Sequence, residues 1–465
     1  MLKKSILILS VAATYYVQAQ DASVLRNSIE VYQNPVLGGS AKYNAMAGSM
    51  GALGGDVSVI ASNPAGVGVA IAGDVSGTLV ISGSENITML NNQSYDYKIN
   101  DTDLGHVGGI AVFGTRSNSP WKFVNLGFSV VRSSIEDYSE SPGNNSIAFN
   151  LPDSDRLLYN GHAYNRLGDV TKMALAVGGN YDNRFYLGAG INLHGATLSQ
   201  YDSAAMKFEN SGDVEVFNKQ YTPYHEDASG FSASVGVIGK LNNQIRLGAS
   251  LETPTWWSIE RSYEFYGYDS ADDGLYGEDR GYKTPMKATL SAAYVPTKNF
   301  ALNVDYAVGL SKPEFSKMDV AAQEEINTFL DANYQNFSEV KVGMEYRMNQ
   351  VRLRGGYSMT TSPFEDISLQ VNQPSGSVTA QTLSNLYAGE RENIGLGIGY
   401  DFRSFYLDAA YNMINSTYKS PFLAGSSTAG TEYYSPSAYF DNDASVVSDV
   451  ENKRSLVSLT FGWKF

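Results

Sequence analysis

Arg352 and Arg354 stand two residues apart in Val351 to Arg354, and Lys341, Glu345 and Arg347 keep the same parity in Val340 to Met348. A spacing of two puts side chains on one face of a strand, so each segment presents a line of charge. Arg246, Lys287, Asp305 and Asp408 hold the equivalent parity in their own alternating segments. Two chemistries follow. A cluster of Arg246, Lys287, Lys341, Arg347, Arg352 and Arg354 could hold a ligand carboxylate, arginine by two parallel hydrogen bonds. The same bases could instead pair with Glu345, Asp305, Asp408 and a more distant acid such as Asp56, tying parts of the chain together. Both readings stay open at this stage.

Other chemistry is thinly supplied. There is no cysteine, which removes thiol nucleophiles and Cys-ligated metals. The four histidines, His106, His162, His194 and His225, lie far apart. Neither a Gly-x-Ser-x-Gly elbow nor a Gly-x-x-x-x-Gly-Lys loop occurs. No enzyme activity, cofactor or metal is therefore expected. The net charge of -15, without a long basic run, excludes nucleic acid as a partner.

The charged positions need strands to carry them. Beyond Asp74 apolar side chains recur at every second position over about ten residues, as in Phe405, Leu407, Ala409, Tyr411 and Met413, or Phe185, Leu187, Ala189, Ile191 and Leu193. The pattern predicts strands at 74–89, 104–115, 122–135, 168–181, 184–200, 229–240, 244–261, 281–295, 298–309, 335–348, 351–361, 391–401, 404–417 and 455–465. Short turns, such as 349–350 and 402–403, alternate with long polar segments at 136–167, 201–228, 262–280, 310–334, 362–390 and 418–454. That sorting is expected of an all-β fold, a transmembrane antiparallel β-barrel of about 14 strands. On such a barrel the charges above face the lumen, because a charge towards lipid near the midplane costs ~2–4 kcal/mol. The last strand ends in the stripe Val457, Leu459, Phe461, Trp463 and Phe465.

The beginning of the chain reads differently. A basic start, an apolar stretch from Ile6 to Ala13 and a small residue at Ala19 predict a secretory signal peptide over residues 1–19. No later window is apolar and long enough for a spanning helix, which needs ~20 residues. The outer membrane of a Gram-negative bacterium is the expected location, with its lipid as the first partner. Residues 20–73 lack alternation and are rich in Gly, Ala and Ser, as expected of a plug inside the barrel formed by 74–465.

Within that segment Gly39-Ser40-Ala41, Ala45-Met46-Ala47-Gly48, Ala52-Leu53-Gly54-Gly55-Asp56 and Asn63-Pro64-Ala65-Gly66 follow one another. This series, ahead of the alternating strands and the terminal Phe, resembles the amino-terminal hatch of the FadL/TodX family of outer-membrane transporters of hydrophobic compounds. The motifs cover Gly38 to Gly66; strand count and terminal Phe extend the resemblance over nearly the whole mature chain. The resemblance implies passive uptake of a hydrophobic small molecule, fatty-acid-like or another lipophile. It would pass from an outer groove to a lumenal pocket and leave sideways once the hatch, with Asn63, Pro64, Ala65 and Gly66, shifts. In the family the exit is a gap made by an inward kink of the third strand. Here that strand is Lys122 to Ile135, with Gly127 and Ser129 as the small residues where a kink could form. The other reading of Gly127 is relief of packing against the plug. Some Bacteroidetes-type members, PorV-like barrels among them, instead act as docking or accessory subunits of complexes such as type IX secretion. Other envelope proteins are therefore the alternative partners.

The long segments carry excess acid, notably 201–228 and 262–280, and a mouth of that sign repels a free carboxylate and favours a neutral ligand. Asp319 to Asn333 is expected to be a short helix with Val320, Ile326, Phe329 and Leu330 on one apolar face. Trp256-Trp257 fits an interfacial aromatic girdle.

Overall fold

A computed structural model describes residues 22–36, 38–116, 118–151, 155–266, 273–425 and 431–465; the expected signal peptide lies outside them. The strands are β1 (Asp74–Leu90), β2 (Gln93–Gly114), β3 (Trp121–Asn150), β4 (Arg156–Tyr181), β5 (Phe185–Phe208), β6 (Val214–Lys219) and β7 (Tyr224–Lys240). Then come β8 (Ile245–Glu252), β9 (Trp256–Phe265), β10 (Gly274–Lys283), β11 (Lys287–Thr297), β12 (Phe300–Gly309), β13 (Glu314–Ser316), β14 (Ser338–Met348) and β15 (Val351–Thr360). The remainder are β16 (Ile367–Asn372), β17 (Val378–Leu383), β18 (Arg391–Asp401), β19 (Phe405–Phe422), β20 (Tyr433–Tyr434), β21 (Tyr439–Phe440) and β22 (Val446–Lys464).

Antiparallel neighbours run round a circle that β1 closes on β22, Asp74 facing Lys464, giving a closed barrel of 14 strands. Two of the fourteen are broken. Pro254 separates β8 from β9 and Pro285 separates β10 from β11, because a proline cannot donate to the ladder. The short turns after β2, β4, β7, β11, β14 and β18 lie at one end, the turn end; the other, loop end carries the long connections and also the two-residue turn Asn91–Asn92 between β1 and β2.

The outer surface carries an exposed apolar band, for example Leu126, Leu187, Leu247, Leu290, Leu396 and Leu459. Exposed Trp121, Tyr181, Phe185 and Trp463 ring its turn end, and Trp256 and Tyr306 lie towards its loop end. On β3 the band stops at Phe128, and the next fully exposed outer position is Arg132. Apolar side chains would be wasted on water here; against hydrocarbon they and the closed ladder satisfy both demands of a bilayer.

Several segments expected to be loops are strand. β3 and β4 continue past the band to Asn150 and from Arg156, and β2 begins at Gln93 rather than near 104. They persist because they have a core of their own at the loop end, in which Ile147, Leu157, Tyr159, Met206, Phe217 and Tyr433 are buried. The loop helix spans Val320–Asn333, capped by Asp319, whose Oδ1 accepts from the Ala321 amide at 3.0 Å. Ile326, Phe329 and Leu330 are buried as expected, but Val320 is 79% exposed and belongs to the wet side of the first turn.

Candidate functional site

The described residues between Ala22 and Gly73 pack against inward-facing side chains of the wall. Their turn-end half is held by wall side chains from all round the circle. Asn125 Nδ2 donates to Val67 O at 2.8 Å, Asn412 Nδ2 to Asn44 O at 2.8 Å, and Asn44 Nδ2 to Ser458 Oγ at 2.9 Å. Ser49 Oγ donates to Asn303 O at 3.1 Å. Elsewhere the wall gives way to it. A Cβ on Gly356 would run into the Met46–Ala47 peptide, and one on Gly236 into the Asn63 side chain, so small residues in both partners let the backbones touch.

Asn63 is the centre of that packing. Its Oδ1 accepts from the Ala65 amide at 3.1 Å, capping a 3-10 turn over Pro64–Val69, and its Nδ2 donates to Gly51 O at 2.7 Å. Pro64, Ala65 and Gly66 are buried. The cap and the cross-link explain why Asn rather than another turn-former precedes Pro64.

Above this layer lies a charged collar. Lys172 and Lys287 both reach Glu252, at 2.8 and 3.2 Å, and Lys341 reaches Glu339 at 3.0 Å. His194 stands opposite Lys172 in the ladder. These residues border a chamber of about 220 Å³ whose floor includes Tyr43, Asn44 and Ser58 of the plug.

The loop-end half of the segment is a helical turn, Ala22–Asn27, continuing through a π-helical turn, Ser28–Gln33. Val24, Leu25, Ile29 and Val31 are buried with Phe329, Leu330, Phe364 and Leu386 of the long connections, so the mouth is shut by a hydrophobic core. A buried ion cluster fixes the helix to the wall. Arg26 donates to Asp137 at 2.7 Å and meets Glu30 at 3.0 Å; Arg166 bonds the same Asp137 carboxylate at 2.5 Å and also Glu30. Asn86 Nδ2 adds a third bond to Asp137 at 2.5 Å. Burial alone would raise the Asp137 pKa, but the guanidiniums of Arg26 and Arg166 outweigh it and hold the group at about 2. Asp137 stands on the part of β3 beyond the apolar band.

Between collar and helix lies a second cavity, of about 100 Å³. Ile29, Val31, Val36, Ile135, Val170, Phe337 and Ile414 supply apolar wall. Arg391 and Arg454 also border it. Their hydrogen bonds go to backbone, Arg391 to Asn34 O at 2.9 Å and Arg454 to Ser134 O at 3.0 Å, and among the described residues neither makes a salt bridge.

Beside this cavity the wall changes. β2 and β3 pair from Gly114–Phe123 to His106–Val131 and no further, although β2 continues on β1 to Gln93 and β3 on β4 to Asn150. The parting coincides with a bulge in β2, where the β1 register shifts between Thr78 and Leu79 and Gly105 is the extra residue. The ladders on both sides of β3 run through Gly127 and Ser129 without a shift. Gly127 faces the plug, where an added Cβ would stand 2.6 Å from Ile60, and Ser129 is buried.

The six bases expected in the lumen divide. Lys287 and Lys341 border the collar chamber, already paired. Arg354 bonds Glu345 at 2.6 Å and Asp408 at 2.8 Å, and Arg352 bonds Asp401 at 2.5 Å. Arg246 donates to Leu53 O of the plug at 3.0 Å, and Arg347 caps its own turn through Asn349 O at 2.8 Å. They do not form one cationic patch; they tie wall to wall and wall to plug. The two bases that border the upper cavity without a salt bridge among the described residues, Arg391 and Arg454, hold the lumenal parity of their strands but were not among the six.

No family model matches this sequence, and no curated protein matches it. Solved structures do. The Pseudomonas aeruginosa FadL homologue aligns with TM-score 0.55 at 12% identity, over 93% of this chain and 99% of that one. The Pseudomonas putida toluene transporter TodX aligns with TM-score 0.53 at 13% identity, over 93% and 99%. The Ralstonia pickettii toluene transporter TbuX aligns with TM-score 0.51 at 13% identity, over 92% and 98%. The chain shares the fold of these FadL/TodX-type barrels over 92–93% of its length.

Proposed function

We propose that the protein is an outer-membrane channel for passive uptake of hydrophobic small molecules, with the apolar cavity above the collar as its binding site and the β2–β3 parting as its lateral exit. The carrying observation is the position of that cavity. Below it the charged collar and the plug block an axial route for a hydrophobic molecule. Beside it the ladder between adjacent wall strands ends at His106–Val131, at a height where Leu79, Ile81 and Leu104 face outward. Arg391 and Arg454 suit a ligand with an anionic head and an apolar body, against the neutral ligand that the acidic loops favour. Asn63, Pro64, Ala65 and Gly66 hold the plug that closes the axial path.

Binding of palmitate and of hexadecanol to the purified barrel in detergent tests this reading. Equal chains isolate the head group. Palmitate binds the more tightly, and Arg391→Ala weakens palmitate by about ten- to a hundredfold, the loss of one charged hydrogen bond of roughly 1.5–3 kcal/mol, while leaving hexadecanol unchanged. Failure of both molecules to bind would refute the channel. The alternative, an accessory subunit of an envelope complex, is favoured by one feature, the separate buried core that stiffens β3 to β5 beyond the membrane. Native mass spectrometry separates the two, since a subunit leaves the membrane with stoichiometric protein partners and an empty cavity.

A further inference from the structure

Facing residues of a ladder share one side of the sheet, and successive residues alternate; together these rules locate β2 relative to β3 beyond the parting. Asn86 points into the lumen, where it bonds Asp137, and its ladder partner is Tyr97. Tyr97 therefore lies on the inner face of β2. Asp137 and Ser139 are buried towards the lumen, which puts Tyr138 on the outer face of β3. The two rings nonetheless stack, centroids 4.8 Å apart and planes 20° apart. A second contact repeats the arrangement. Asp103 faces Val80, between the outward Leu79 and Ile81, so it too is on the inner face of β2. It pairs at 3.2 Å with Arg132, an outward residue of β3 that also reaches Asp169 of β4 at 3.4 Å.

Both contacts join the inside of one strand to the outside of its neighbour. Above His106–Val131, β2 has left the circle and laps over β3. The lumenal side of the lap is sealed by other groups: Asn86 Nδ2 donates to Tyr138 O at 2.8 Å and Arg454 to Ser134 O at 3.0 Å, occupying carbonyls that β2 would otherwise bond. The seam is thus a slot, with β3 and the cavity on its inner side and the upper part of β2 as its outer leaf.

We infer that Arg132 with Asp103, and Tyr97 with Tyr138, form a clasp that holds this leaf down and sets how readily a molecule leaves the cavity through the seam. The inference rests on the proposed lateral exit for its consequence in transport, but its geometry stands apart from that reading. The leaf stays laddered to β1 from Leu104 to Gln93, so it lifts by turning about that edge above Gly105, and across the seam to β3 it is held by one ion pair and one ring stack. Neither contact touches the cavity, so they act on the rate of release and not on the strength of binding.

The absence of cysteine in the chain permits a direct test. Nitroxides on Asn100→Cys of the leaf and Glu140→Cys of β3, in otherwise native full-length barrel in nanodiscs, report the leaf position by pulsed electron resonance. A single narrow distance distribution is expected. Adding Arg132→Ala and Tyr97→Ala should broaden it to longer distances, while Arg132→Lys with Tyr97→Phe should restore it. Transfer of palmitate from the loaded barrel to surrounding lipid is measured on the same variants without labels. Loss of each contact should speed transfer about two- to tenfold, the range for one aromatic pair, at unchanged affinity. A distribution identical in the alanine variants would overturn the clasp whatever the transport result. A distribution that broadens without faster transfer would overturn its role in release. Absence of transfer in every variant, with the leaf moving as expected, would count against the channel reading and confine the clasp to structure.

Discussion

Replacing Asp137 by alanine loosens the N-terminal helix, and the size of the effect follows from the ion cluster. The carboxyl is drawn from its ordinary 3.8 to about 2. At ~1.36 kcal/mol per unit, its surroundings favour the charged form by an amount on the order of 2 kcal/mol. Burial opposes this and is the largest influence; the attraction of Arg26, then Arg166, overcomes it. Arg166 belongs to β4 and stays when the helix leaves, so only the part due to Arg26 belongs to helix docking. That part is on the order of 1 kcal/mol, or up to about tenfold in the docking equilibrium. The sign is set by the depressed value: the contribution is complete above about pH 4 and is lost as pH falls through about 2. Hydrogen exchange at amides 22–33, corrected for intrinsic rates, should therefore quicken about tenfold in Asp137→Ala at pH 7. Wild type should show the same gain on going from pH 5 to pH 2, and Asp137→Ala almost none. Unchanged protection in the variant, or a variant as pH-sensitive as wild type, would refute the latch.

Two further substitutions probe the plug. Asn63→Ala removes a helical cap and the bond to Gly51 together, so roughly 1–2 kcal/mol of local stability is lost; exchange at amides 63–69 should rise while the unfolding temperature of the barrel stays put. Gly356→Ala sets a methyl against the Met46–Ala47 peptide, an overpacking of roughly 1–3 kcal/mol. Planar-bilayer recordings should then show conductance that wild type lacks, and a silent variant with native exchange at 44–48 would show that the wall yields instead.

The barrel was readable because the exposed apolar band enforces period two on every strand it crosses, and Phe185 to Leu193 or Phe405 to Met413 carry that period without interruption. Where the band stops, the same logic loses its referent. Residues 136–150 and 156–167 are strand because Ile147, Leu157 and Tyr159 bury themselves against β5 and β6, and their alternation serves a core that the membrane pattern does not foretell. The plug was readable from its small residues, since only a Gly- and Ala-rich segment can approach wall glycines such as Gly236 and Gly356. The lumenal charges were readable in parity and not in partnership. Arg352 and Arg354 face inward as the spacing requires, but which acid each meets depends on register between strands. Arg454 fell one residue outside the last predicted strand, and Arg391 opened its own strand. Asp137 draws its partners from residues 26, 86 and 166, separations at which no local pattern survives.

The third strand shows where reading from residue type ends. Gly127 attracts attention as a site of backbone freedom, yet an empty Cβ position there is occupied by Ile60 and Val67 of the plug, and the ladder through it is regular. The wall parts a few residues further on, and the residue that lets it part is on the neighbouring strand: Gly105, the bulge, whose extra place shifts the β1 register. A bulge reverses the side-chain parity of everything beyond it, which is why Leu104 points outward while Tyr97 and Asp103 can turn to the outer face of β3. One glycine in β2 thus decouples two strands, reorients the stretch from Leu104 back to Gln93, and turns both groups that bridge the seam towards β3. The proposed sideways exit is a property of the pairing of β2 with two different neighbours over two different lengths, and that difference is what the seam variants measure.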